Sequence, residues 1–311
     1  MIVCVSANPA LDTRKRIGAL RAGAVHRVQS FERLAGGKAA HVALAAQALG
    51  APALLIGLFG GATGETCQRA LADAGIICQP IRTAAATREN LELIDEHGEA
   101  TELLEPGGPI SSAEVEALVT ACSGWFNRLR SSAIVVLSGS LPSGVPSDLF
   151  ARLIGAAKRT GATTLVDTSG EALLAAADAG PDWIKPNRSE AAAALQMEIP
   201  DVGAALRAAR QLRARGAERV VLSLGEEGLL GVDASEAFCA RSPRVVGRSA
   251  VGCGDSVVAA LATSVERRMS FADALRLAAA TGSANCLAPT PGSVLTRDLE
   301  NMLAQTELHS L

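Results

Sequence analysis

Short apolar runs bounded by Gly, Pro, Asn or Asp recur along the chain, at residues 2–6, 53–58, 133–137, 163–166, 183–184, 220–224 and 229–232. They alternate little, which is the pattern of strands buried on both faces. Between them lie segments with helical spacing, such as Leu149, Phe150, Leu153, Ile154 and Ala157, or Leu206, Ala209, Arg210 and Leu212. Gly60-Gly61-Ala62-Thr63-Gly64 opens another helix, which ends near Gly75. Alternating strands and helices imply an α/β fold whose mostly parallel central sheet carries helices on both faces. Two stretches break this rhythm. Residues 12–34 are basic and mixed, and residues 82–105 contain the alternating Arg88-Glu89-Asn90-Leu91-Glu92-Leu93-Ile94 and a hairpin-like Glu96-His97-Gly98-Glu99. They predict a small separate β-sheet, built from two insertions into one domain of residues 1–311, that acts as a lid.

Composition narrows the class. The chain has 311 residues, 49% of them hydrophobic and 20% charged, enough for a large core. A formal net charge of −3 argues against nucleic acid or an anionic membrane as partner. The seven cysteines are scattered without metal-ligand spacing and read as core residues of a reducing compartment. Met1–Ser6 lacks a basic leader and soon reaches Asn8-Pro9, so it reads as a first strand, and a cytoplasmic protein is expected.

The chemistry concentrates at Ser249-Ala250-Val251-Gly252-Cys253-Gly254-Asp255-Ser256, which runs straight into an apolar helix. Backbone N–H groups at such a helix start favour an anion, and Asp255 could take a proton from a hydroxyl beside it. An ordinary capped loop has the same sequence, so position and company must decide. Ala35-Gly36-Gly37-Lys38 is a second glycine pair before a helix, suited to a phosphorylated or polyhydroxylated ligand. Asn8 and Asp12 follow the first strand, where open α/β sheets bind ligands, although an Asx-Pro turn is the plainer reading. Polar clusters at Ser138-Gly139-Ser140, Asp167-Thr168-Ser169, Lys185-Pro186-Asn187 and Ser223-Leu224-Gly225 end four further strands and suggest one crevice. Asn187 and Glu190, three apart, offer hard oxygen ligands for Mg²⁺ through waters, or else a helix capping box.

Together these motifs resemble the ribokinase-like phosphofructokinase B family of sugar kinases, over nearly the whole chain. Gly252-Cys253-Gly254-Asp255-Ser256 is similar to its Gly-Ala-Gly-Asp-Ser signature, and Gly36-Gly37-Lys38-Ala39-Ala40-His41-Val42-Ala43 to its Gly-Gly-Lys-Gly-x-Asn-Val-Ala signature. The resemblance is greatest to the branch acting on sugar phosphates. It implies a three-layer ribokinase-like fold with a small β-sheet lid, and an ATP- and Mg²⁺-dependent kinase of a ketohexose phosphate. Asp255 would be the base, with the amides of Gly252, Cys253 and Gly254 forming the anion hole. Asp12, Gly37, Lys38 and His41 would contact the sugar, with Lys38, Arg88, Arg27 and Ser138 around its phosphate. Lys185, Asn187, Ser223, Gly225, Gly228 and Gly254 would line the ATP side, and Asn187 and Glu190 would hold Mg²⁺. Two lids clasping would make a homodimer.

The departures bear on the substrate. His41 and His26 stand where the family usually has Asn, and Ala39 replaces a family glycine. Rival readings are a kinase of a neutral sugar or nucleoside, which would leave Lys38 and Arg88 without a partner, and a non-catalytic nucleotide or sugar-phosphate binder. A Rossmann dehydrogenase lacks its proper glycine motif.

Overall fold

The computed structural model of the protein describes residues 1–245 and 250–311. In chain order the elements begin β1 Ile2–Ser6, β2 Ala10–Arg16, β3 Ser30–Gly36, α1 Lys38–Ala48, β4 Ala53–Phe59, α2 Gly61–Asp73, β5 Ile77–Arg82, β6 Arg88–Ile94, β7 Ala100–Leu103 and α3 Ser112–Leu129. The middle of the chain gives β8 Ile134–Ser138, α4 Leu149–Lys158, β9 Thr163–Asp167, α5 Gly170–Asp178, β10 Trp183–Ile184, α6 Arg188–Leu195 and α7 Val202–Arg215. It closes with β11 Arg219–Ser223, β12 Leu229–Val232, β13 Ala237–Arg241, α8 Cys253–Glu266, α9 Phe271–Leu287, α10 Thr296–Gln305 and β14 Glu307–Ser310.

The large sheet runs β14-β13-β12-β11-β10-β9-β8-β1-β4-β5. Its strands pair in parallel from β11 through to β5 and antiparallel from β12 to β14. All five residues of β1 are buried because successive side chains enter opposite cores. Ile2 and Cys4 join a cluster with α1, α2, α8, α9 and α10, whereas Val3 and Val5 join one with α3, α4, α5 and α7. Each fully buried aliphatic side chain there stabilises the fold by roughly 1.5–3 kcal/mol. In the Ala-rich α1, Ala39, Ala40, Ala43, Ala45 and Ala46 are all buried, and the helix shares a core with Ile2 and Cys4 of β1.

A four-stranded sheet, β3-β2-β6-β7, stands apart from the large one. It is anchored by Arg14, buried on β2, which pairs with Glu92 on β6 and donates to the carbonyl of Pro289 at 2.6 Å. Every residue of β7 is exposed, as are Val25 and Phe31. Among the described residues no helix is long and apolar enough to cross a membrane.

Candidate active site

The C-terminal ends of the parallel strands, the starts of α1, α6 and α8, and one face of the small sheet enclose a cavity of about 1320 Å³. Asp255 lines it and is 7% exposed. Gly252 is the N-cap of α8 and takes φ of 79°, in the left-handed region that favours glycine. A Cβ there would also lie 2.9 Å from the amide of Gly292. Asp255 is thus the third residue of the helix, inside its first turn. The amide of Cys253 donates to Ala250 O at 3.2 Å, so this turn spends one of the three expected anion donors on its own backbone. The amides of Gly252, Gly254 and Asp255 find no backbone acceptor among the described residues. Ser249 lies outside the described residues.

Across the cavity, β2 carries Asp12 and β6 carries Asn90 in register, and Asn90 Nδ2 donates to Asp12 Oδ1 at 2.8 Å. The carboxylate of Asp12 lies over Gly36, where a Cβ would fall 2.1 Å from its Cγ. Only glycine fits there. His41, on α1, is buried between two acids: Nδ1 is 2.9 Å from Asp255 Oδ2 and Nε2 is 3.2 Å from Asp12 Oδ2. Both partners are acceptors only, so both ring nitrogens carry hydrogen and the ring is an imidazolium. Burial alone would lower its pKa, but hydrogen bonds to Asp12 and Asp255 outweigh it and push the value up to about 10. Burial likewise works to raise the Asp12 pKa, while His41 and Asn90 hold it below the usual carboxylate range.

Lys38 reaches from the start of α1 to Glu190 Oε1 at 3.1 Å and Asp167 Oδ2 at 3.5 Å. Asp167, fully buried at the end of β9, also has the Lys185 ammonium 3.2 Å from Oδ1. Burial would raise its pKa, but the two ammonium groups lower it. The guanidinium of Arg88 donates to the carbonyls of Glu105 at 2.7 Å and Asn8 at 3.2 Å, and its buried Nε has no hydrogen-bond partner among the described residues.

Asn187 and Glu190 form the capping box of α6: Asn187 Oδ1 accepts from the Glu190 amide, and Glu190 Oε2 from the Asn187 amide, each at 2.8 Å. With Glu190 Oε1 on Lys38, this pair has no carboxylate oxygen to spare for direct ligation, and its fit to a divalent ion is through waters. Among the described residues no group of three or more His, Cys, Asp or Glu could hold a metal.

Fifteen of the candidate site residues named from the sequence line this cavity: Asp12, Gly37, Lys38, His41, Arg88, Lys185, Asn187, Glu190, Ser223, Gly225, Gly228, Gly252, Cys253, Gly254 and Asp255. Two do not. Ser138 is the last residue of β8, 1% exposed, with its hydroxyl turned to Asp167; Gly139 and Ser140 reach the cavity instead. Arg27 is exposed on the loop between β2 and β3 and does not line the cavity. Asn8 is structural, tying the end of β1 to Pro106 O and Ser140 Oγ, both at 3.0 Å. Asn90 was missed, yet it lies two residues after Arg88 on β6 and so on the same strand face.

The sequence matches the pfkB family carbohydrate kinase pattern over residues 4–297. It is 37% identical to a 1-phosphofructokinase of Xanthomonas campestris over 85% of this chain and 83% of that one. It is 36% identical to the ATP-dependent 6-phosphofructokinase isozyme 2 of Escherichia coli over 81% of each. The fold superimposes on phosphofructokinase-2 from Escherichia coli in complex with fructose-6-phosphate with a TM-score of 0.88 and 32% identity, covering 97% of this chain and 98% of that one. The same enzyme in its tetrameric inhibited form gives 0.90 and 33%, with the same coverage. The chain belongs to the pfkB family of carbohydrate kinases.

Proposed function

We propose that this chain transfers the γ-phosphoryl group of ATP to a hydroxyl of a ketohexose phosphate. The observation that carries the reading is that Asp255 shares its cavity with the amides of Gly252 and Gly254 and with Arg88, and among the described residues neither those amides nor the buried Nε of Arg88 has a partner. A carboxylate, an anion hole and a desolvated guanidinium suit an acceptor alcohol, a transferring phosphoryl group and a second, resident phosphate respectively.

In this reading the sugar lies along β2 and β6, its hydroxyls on Asp12 and Asn90 and its phosphate on Arg88. The reacting hydroxyl faces Asp255. As its oxygen bonds to the γ-phosphorus and the bond to ADP breaks, its proton passes to the Asp255 carboxylate. The amides at the start of α8 and the Lys38 ammonium receive the charge that builds on the phosphoryl oxygens. His41 holds Asp255 Oδ2 through Nδ1–H, and among the described residues nothing donates to Oδ1, which leaves that oxygen to accept the proton. Lys185, Asn187, Ser223, Gly225 and Gly228 support the nucleotide side. Mg²⁺, arriving with ATP, would be held through water by Asn187 and Glu190 and would neutralise phosphate charge.

The exposed side chains of Val25, Phe31 and Leu103 on the small sheet and its loop support a dimer in which two such sheets meet. A coupled ADP-release assay over fructose 1-phosphate, fructose 6-phosphate, tagatose 6-phosphate, fructose and ribose tests the substrate class. Turnover is expected with a phosphorylated sugar; turnover with neutral sugars alone would overturn the reading.

A further inference from the structure

We propose that Cys253 and Cys286 are a modification site: a peroxide links them in a reversible disulfide that distorts the anion hole and stops phosphoryl transfer. Cys253 is the first residue of α8, between two glycines that line the cavity, and its side chain has no part in the chemistry above. Cys286 is the second-last residue of α9 and borders the same cavity. Their sulfurs are 2.7 Å apart, in hydrogen-bond contact.

The contact is built into the helix pairing. Gly282, one turn before Cys286 on the same face of α9, lets the helices approach so closely that a Cβ there would lie 3.0 Å from Val257 Cγ2. Asn285 then pins the turn that carries Cys253. Its Nδ2 donates to Val251 O at 2.9 Å, and its Oδ1 accepts from Ser256 Oγ at 3.0 Å and from the Gly292 amide at 2.9 Å. These bonds fix the backbone on either side of Cys253 against the end of α9 that carries Cys286.

The pair is also set apart chemically. Burial pushes the thiols of Cys4 and Cys67 up to about 12 and that of Cys78 up to about 11, which keeps them protonated and inert. The hydrogen bond between the two sulfurs raises Cys253, with burial adding to it, and lowers Cys286. Of the two, Cys286 is the sulfur whose proton the contact loosens. Cys286, which also borders the cavity, is thus the sulfur that attacks once deprotonated, and Cys253 is the resolving thiol.

The steps balance. The Cys286 thiolate attacks one peroxide oxygen, the O–O bond breaks, and a sulfenic acid and hydroxide result. The Cys253 sulfur then attacks the sulfenic sulfur; the S–S bond forms, the S–O bond breaks, and the thiol proton leaves with the oxygen as water. Both sulfurs are oxidised, and the peroxide is reduced to water. The bond must contract to about 2.05 Å, drawing the start of α8 toward the end of α9. The amides on either side of Cys253 move with it, and misplacement of such donors costs tenfold or more, up to roughly a hundredfold for 1 Å.

The kinase consequence rests on the function proposed above; the linkage does not. The full chain is reduced with dithiothreitol, desalted and treated with hydrogen peroxide, then followed by peptide mass mapping and by ADP release with its sugar phosphate. The expected result is a Cys253–Cys286 peptide two hydrogens lighter, a rate lower by about tenfold or more, and recovery of both on renewed dithiothreitol. Cys286→Ser should form no link and keep its own untreated rate through peroxide, while Cys78→Ser should follow the parent. Cys253→Ala should stop at a Cys286 sulfenic acid that a 1,3-diketone probe captures. Absence of the link, a link without loss of rate, or equal loss in Cys286→Ser would each overturn the proposal. A reduced chain that forms the link but turns over no sugar phosphate would overturn the kinase reading and the gate with it, leaving the modification site.

Discussion

His41 Nδ1 lies 2.9 Å from Asp255 Oδ2, which ties the candidate base to a buried imidazolium whose other nitrogen faces Asp12. The signature that this stretch resembles carries Asn at this position, which can donate to one of these carboxylates but cannot carry charge between them. His41→Asn should therefore retain phosphoryl transfer, since an amide can still hold Asp255, but lose the alkaline limb of the pH–kcat profile. That limb is expected in the parent as the imidazolium deprotonates near pH 10. An identical alkaline limb in His41→Asn would assign the titration to another group.

The same ring makes stability depend on pH, and the sign is fixed. Its folded pKa of about 10 stands above the ordinary value of 6.5, so its stabilisation is complete below about pH 6.5 and is lost as pH rises toward 10. Thermal melts at pH 6.5 and 9.5 should show a larger fall for the parent than for His41→Asn. Equal falls would mean that the His41 bridge contributes nothing to the difference.

Asp255→Asn keeps the shape of the site and removes the proton acceptor. Loss of kcat by about a hundredfold or more is expected, with ATP affinity little changed, because in the proposed function this carboxylate meets the acceptor alcohol and not the nucleotide. Unchanged kcat would remove Asp255 from the chemistry.

Lys38 holds its ammonium between Glu190 and Asp167, and in the function proposed above it meets the transferring phosphoryl group. We predict that Lys38→Met lowers kcat by about a hundredfold, as loss of one donor to transition-state charge does, with little change in the sugar-phosphate KM. A raised KM at constant kcat would return Lys38 to ground-state binding of that phosphate.

These residues show what a sequence does and does not reveal. The seven apolar strands, the helix start at Gly252 and the strand carrying Arg88 follow from local periodicity and from glycine, so they were legible; β13 and β14 were not. Strand β5 was not, because Pro80 interrupts it; proline fits there because β5 is the edge of the sheet. The bridge from His41 to Asp255 spans 214 positions and depends on α1 and α8 packing side by side, which no local pattern encodes. Asn187 and Glu190 were readable both as a cap and as metal ligands, and the hydrogen bonds show that the cap is made. Ser138 and Ser140 looked alike in sequence until β8 ended between them and turned the first toward Asp167.

Asp167 yields the last prediction, because it pairs with Lys185 where neither side chain exceeds 5% exposure. Asp167→Asn would leave the Lys185 ammonium buried without a counter-charge. Removing one partner of such a pair costs about 3–5 kcal/mol, which urea unfolding would read. The folded pKa of Asp167 is below the ordinary value of 3.8, so its contribution is present above that pH and is lost as pH falls through the folded value. Acid unfolding of the parent should accordingly be steeper than that of Asp167→Asn. Adding Lys185→Met to Asp167→Asn removes the stranded charge and should recover most of the lost stability, since a matched apolar replacement is often neutral. If the double variant is no more stable than the single one, the cost lies in packing at the end of β9 and not in the unpaired ammonium.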